Sequence, residues 1–257
     1  MDLELLWLCL AAFAAGLVDS VVGGGGLIQL PALFIFLPPP LAASVPLVFG
    51  TNKLSSLCGT SVAVAQYARR VRIPWASILP AALAAFAFSA LGARAVQSVR
   101  SDFLRPFTLA LLVAVAIYTY SRKNLGQRHA PKFIGGRERW FAVVIGVVLG
   151  FYDGFFGPGT GSFLIFIFIG LFGFDFLTAS ASAKVINFAT NLAAVIIFAS
   201  CDDILYHYAL PMGACNVAGA LVGTRLAILK GNPFVRWLFL GVVGVMIARF
   251  AWEQFAR

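Results

Sequence analysis

Two short glycine clusters carry the first hint of chemistry. They are Gly23-Gly24-Gly25-Gly26 and Gly157-Pro158-Gly159-Thr160-Gly161. Each precedes a short apolar run, 27–37 and 162–174. A helix that starts at such a break turns unbonded N–H groups and its positive dipole end toward whatever lies before it, which favours an anion. Glycine lets a ligand approach the backbone closely. Close helix packing through small residues is the competing explanation. The candidate contacts are Gly24, Gly25, Gly26, Gly159, Thr160 and Gly161.

A second group is polar and lies inside apolar runs. Asn52, Ser56 and Thr60 recur every four residues and so share one helix face. Asn187 and Asn191 have the same spacing. An asparagine amide can donate to an oxyanion without the desolvation cost of a buried cation. The alternative is hydrogen bonding between helices with no ligand involved. Lys53 and Lys184 also fall within apolar runs. A lysine at such depth costs about 2.5–3.5 kcal/mol, so each should face protein or water and have a partner. They would act on an anion from behind the amides or from the vestibules, or else cap a helix or pair with an acid. Asp19 and Asp153, one turn before each glycine cluster, are the available acids.

These residues repeat. GLVDSVVGGGG (16–26) and GFYDGFFGPGTG (150–161) align at an offset of 134, and beyond the short runs the offset settles at 131. It pairs Lys53 with Lys184, Pro80 with Pro211 and Arg94 with Arg225. Asn52, Ser56 and Thr60 map onto Ala183, Asn187 and Asn191, a symmetric framework with an asymmetric polar lining. The repeat predicts a first half over 1–120, a polar linker over 121–139 and a second half over 140–257.

The elements that must hold these groups are membrane helices. Of 257 residues, 61% are apolar and 11% charged, with 25 Phe and 25 Gly; ordinary soluble domains are about 45–50% apolar and about 25% charged. Mean hydropathy is +0.92. This composition excludes a disordered chain, a secreted disulfide scaffold and almost any soluble enzyme. With about 20 apolar residues per span, the length allows roughly eight to ten crossings. The fold class is therefore all-α and polytopic, and runs 27–37 and 162–174 are half-span helices. The four cysteines include no C-x-x-C pair. The N-terminal run lacks the positive flank of a signal peptide, carrying Asp2 and Glu4 instead.

The net charge of +9 would suggest nucleic acid in a soluble protein. Here the basic residues lie in gaps between apolar runs, and no zinc-finger, helix-turn-helix or basic-arm pattern occurs, so no nucleic-acid partner is expected. Three basic residues at 69–72, six in the linker and three at 225–236 share one side, against five on the other. The positive-inside rule makes the linker cytoplasmic and both termini extracytoplasmic. The gap after the run ending near 67 then lies inside, and its repeat partner near 200 outside. The halves would be inverted with respect to each other, the architecture of secondary transporters with a site near the midplane.

The blocks GLVDSVVGGGGLIQLP (16–31), TNKLSS (51–56), GFYDGFFGPGTGSF (150–163) and SAKVINFATN (182–191) resemble the TauE/SafE family of sulfite and anion exporters. The resemblance runs in order over essentially the whole chain. It implies a cytoplasmic-membrane permease that exports sulfite, a sulfonate such as sulfoacetate, or another small anion. The expected partners are that anion and the bilayer; a coupling ion (H+ or Na+) and a homodimer are left open. Alternating access is the expected mechanism, with a passive anion channel on the same repeat as the alternative. No cofactor, metal or enzymatic activity is expected: the chain has no HExxH, no Ser/His/Asp set and no nucleotide loop, since GGGGLI lacks the Lys-Ser/Thr of a phosphate loop.

Overall fold

The structure, a computed structural model, describes residues 3–96, 130, 132 and 135–255. The end of the expected first half, 97–120, and most of the expected linker 121–139 lie outside the described residues. The described residues are helical throughout their regular structure. The helices are α1 (Leu3–Val22), α2 (Gly26–Phe36), the single turn α3 (Pro39–Ala42), α4 (Val45–Arg70), α5 (Trp75–Val96), α6 (Gly136–Phe155), α7 (Thr160–Gly170), α8 (Phe176–Ser200) and α9 (Tyr206–Phe255). The last is broken at Gly231, whose φ of 68° no helix accommodates.

Four stretches are long and apolar enough to cross a membrane: Leu3–Val22, Trp75–Val96, Phe176–Ser200 and Tyr206–Val235. α4 and α6 are as long, at 26 and 20 residues, but carry more charge at their ends. Polarity is arranged for lipid. Large apolar side chains such as Trp7, Leu83, Val148 and Leu210 are exposed, whereas Thr51, Asn52, Ser55, Lys53 and Lys184 are buried. With no water in the hydrocarbon, helices satisfy their own backbone groups. The molecule is a multi-pass membrane protein.

α2 and α7 have 11 residues each. At 1.5 Å per residue each is about 16 Å long, roughly half of a 30 Å hydrocarbon core. Both begin at a break with left-handed glycines: Gly23 and Gly24 (φ 75° and 86°) before α2, Gly157 and Gly159 (φ 88° and 85°) before α7. α8 starts on an acid, since Asp175 accepts from the Thr178 N–H at 2.8 Å.

Packing is crosswise between the two halves of the sequence. α1 lies against α9, α5 against α6, and α4 and α8 against each other. The contacts are made by small residues. Gly146, Gly150 and Gly154 of α6 sit on Ala81, Ala85 and Ser89 of α5, and an added Cβ would strike that backbone at each step. Gly219 and Gly223 of α9 sit on the α1 backbone around Phe13 and Leu17 in the same manner. Small side chains let membrane helices approach to van der Waals contact, which replaces the hydrophobic driving force that lipid removes.

The ends of the helices gather at two poles. At one, Trp7 stacks on Phe36 and the Leu205 N–H donates to the Thr51 hydroxyl at 3.0 Å. At the other, Arg139 Nε donates to the Ala76 carbonyl at 3.1 Å and the Leu177 N–H to Asn232 Oδ1 at 2.9 Å. α4 thus begins at the first pole and α8 at the second.

Candidate functional site

The two glycine breaks meet. An added Cβ on Gly23 would collide with Gly161 and Ser162, and the Ser162 hydroxyl donates to the Val22 carbonyl at 3.1 Å. Around this contact lies a small cavity walled mostly by polar groups.

Each wall comes from a different element. α1 supplies Asp19 and the first break Gly24 and Gly26. α4 supplies Asn52, Lys53 and Ser56, spaced along one face. α6 supplies Asp153, the second break Gly157 and Gly159, and α7 Gly161. α8 contributes Asn187 and Asn191. The walls are therefore helix ends, the two breaks and the mid-helix polar residues of α4 and α8.

Two ion pairs cross between the halves. Lys53 Nζ donates to Asp153 Oδ2 at 2.8 Å, and Lys184 Nζ to Asp19 Oδ2 at 2.8 Å. Each lysine thus finds the acid of the opposite half. The four groups cancel in formal charge, so the lysines do not make the cavity cationic.

The surroundings of the pairs differ. Lys53 and Asp153 are 5% and 7% exposed and both line the cavity. Lys184 is fully buried and lies off the cavity, whereas its partner Asp19 is 20% exposed and lines it. Asp19 also accepts the Gly25 N–H at 3.2 Å through its other oxygen.

The amides have unmade bonds. Asn52 and Asn187 are 5% and 7% exposed, and Oδ1 of each is buried without a partner among the described residues. Asn187 Nδ2 lies 2.9 Å from where a Cβ of Gly161 would stand, so only glycine admits the amide there. Asn191 Nδ2 reaches the Thr60 hydroxyl at 3.4 Å. These two are counterparts at the 131 offset.

The sequence singled out fourteen positions, and the structure places eleven of them on one cavity. Three lie behind it. Gly25 is right-handed (φ −55°) and packs on Asp19, so its glycine is required by packing rather than by left-handed geometry or ligand approach. Thr160 turns its hydroxyl back to the Gly157 carbonyl at 2.8 Å. Lys184 is enclosed, as described. Lys53, read from sequence as a residue of the background or vestibule, stands in the cavity wall.

Two features escaped the sequence reading. Gly157 lines the cavity, with Lys53 Nζ 3.2 Å from its Cβ position; its repeat partner Gly23 could have marked it. A buried pair, Asn216 Nδ2 donating to Gln29 Oε1 at 2.9 Å, ties α9 to α2. Their repeat counterparts are Ala85 and Phe163, so nothing in the repeat signalled them.

The family model for the sulfite exporter TauE/SafE matches residues 8–250. The chain is 38% identical over 248 residues to a Sinorhizobium sp protein named probable membrane transporter protein ORF9, covering 95% of this chain and 90% of that one. It is 32% identical to a probable membrane transporter protein of Haemophilus influenzae, covering 99% and 96%. It is 33% identical to the probable membrane transporter protein YfcA of Escherichia coli, covering 95% and 88%. No solved structure matches the chain.

Proposed function

The chain belongs to the TauE/SafE sulfite exporter family and is a membrane transporter, and from that premise we propose that it exports a small anion across the cytoplasmic membrane by alternating access. Sulfite, a sulfonate or a related small organic anion is the substrate class. The observation that carries this reading is the meeting of both glycine breaks with the Asn52 and Asn187 amides in one small cavity. A small oxyanion needs several convergent N–H donors and little volume, and helix starts supply them without a net cation.

The halves 1–120 and 140–257 act as inverted repeats about this cavity, joined by a cytoplasmic linker, with both termini extracytoplasmic. The opposite starting poles of α4 and α8 support that arrangement, as does the contact between the counterparts Thr60 and Asn191. Cysteine labelling at Ser200 and at Asn124 should report opposite sides; labelling from the same side overturns the inversion.

Transport is tested by counterflow in proteoliposomes with sulfite, small sulfonates and small carboxylates. Saturable uptake accelerated by the same anion on the far side is expected. Flux that rises linearly with concentration and shows no such acceleration favours a passive channel. Asn187→Ala should raise the half-saturating concentration about tenfold, the loss of one charge-assisted hydrogen bond of about 1.5–3 kcal/mol. Asn124→Ala in the linker should leave it unchanged. No flux of any anion in the panel would overturn the proposal.

A further inference from the structure

The two breaks offer different seats to an anion. Both present glycine backbone to the cavity, Gly24 and Gly26 on one side, Gly159 and Gly161 on the other. At the first, the charge that reaches the cavity is negative. Asp19 is 20% exposed, lines the cavity and already accepts the Gly25 N–H, while the lysine that balances it is fully buried behind. An anion placed there would meet a carboxylate at the donors it needs.

At the second break both members of the ion pair, Lys53 and Asp153, line the cavity, so the carboxylate there is balanced within the wall. The Lys53 ammonium reaches the cavity wall and comes within 3.2 Å of the Cβ position of Gly157. Asp153 takes one of its three N–H donors, which leaves two for a ligand. The break is closed through its carbonyls, with the Tyr152 hydroxyl donating to Pro158 O at 2.9 Å and the Thr160 hydroxyl to Gly157 O at 2.8 Å. Its Gly157 and Thr160 N–H groups donate to the Tyr152 and Gly157 carbonyls, and among the described residues no carboxylate accepts from the break. The Asn187 side chain, 7% exposed, lines the cavity with its Nδ2 donor 2.9 Å from the Cβ position of Gly161.

Resting on the transport reading above, we infer that the anion seats at the second break, against the start of α7, Lys53 and Asn187, and that Asp19 closes the first break against it. The repeat thus supplies two potential anion sites, of which the protein fills one with its own carboxylate. Lys53 is then a binding residue and Lys184 a structural one, although sequence treats them as equivalents.

The test compares two charge-balanced variants of the full chain, purified in detergent, with sulfite as the probe. Lys53→Gln with Asp153→Asn should raise the sulfite Kd at least tenfold. Lys184→Gln with Asp19→Asn should leave it within threefold or lower it, because the group removed from the cavity is a carboxylate. Equal losses, or a larger loss in the second variant, overturn the inference while leaving the transport reading intact. Absence of binding of any panel anion by the unaltered chain sinks the transport reading, and this seat with it. Should the first variant fail to give a monodisperse protein with a cooperative melt, Lys53→Arg replaces it. That substitution keeps the pair with Asp153 but displaces its donors, so the same rise in Kd is expected, and a Kd within threefold of the unaltered chain overturns the seat.

Discussion

The first glycine break and the second share a sequence pattern, two left-handed glycines and a half-span helix, yet they are held in different ways. The first is tied through an N–H, with Gly25 donating to the carboxylate of Asp19. Among side-chain contacts, the second is tied instead through carbonyls, by the hydroxyls of Tyr152 and Thr160. A repeat copies backbone geometry, whereas the groups that complete its hydrogen bonds can diverge. Where those groups differ, so does what the break can bind.

The largest effect expected from this comparison comes from cutting the ion pairs one side at a time. Lys53→Gln leaves Asp153, 7% exposed, without its cation, and should cost about 3–5 kcal/mol. Lys184→Gln leaves Asp19, which is 20% exposed and still holds the Gly25 N–H, so the loss should be smaller. Melting temperatures in one detergent check the order. A reversed order would mean that exposure and the backbone contact do not distinguish the pairs.

A lesser difference is expected between Gly23→Ala and Gly159→Ala. Both residues are left-handed, so each substitution carries a strain of roughly 1–2 kcal/mol. At Gly23 the methyl also runs into the backbone of Gly161 and Ser162, an overpacking of about 1–3 kcal/mol more. At Gly159 it meets the Phe163 ring at 3.4 Å, an ordinary contact. Folded yield after solubilisation should rank them, and equal yields would argue that the breaks are not in contact.

The smallest effect on stability belongs to Gly26→Ala. Its methyl would stand 3.7 Å from Pro158 Cα and 4.0 Å from Asn52 Nδ2, inside the cavity and without a clash. Stability should hold or rise by up to about 1 kcal/mol, while the counterflow rate falls. A variant that melts normally and transports normally would remove Gly26 from the site.

Much of this arrangement was legible in the chain. The 134 and 131 offsets locate both breaks, both lysines and both acids, and spacing by four places Asn52 with Ser56 and Asn187 with Asn191. An offset states which residues are equivalent, but not which residues face each other across the interface. Hence the exchange of partners between Lys53 and Lys184 was invisible, as were the burial of Lys184 and the contact between Gln29 and Asn216. Thr160 and Gly25 misled for a related reason: both lie at helix starts, where a donor or acceptor can serve the chain itself as readily as a ligand.

The exchanged ion pairs also bear on how the protein is made. Lys53 is synthesised 100 residues before Asp153, and Asp19 165 residues before Lys184. At about 5–20 residues per second, Lys53 waits roughly 5–20 s for its acid, and Asp19 waits longer still for its cation. During that interval the first half sits at the bilayer with a lysine and an aspartate that have no final partners. Release into lipid before the second half arrives would strand both charges, so the nascent first half must stay near the insertion machinery, or keep its charged groups in water, until the second half arrives.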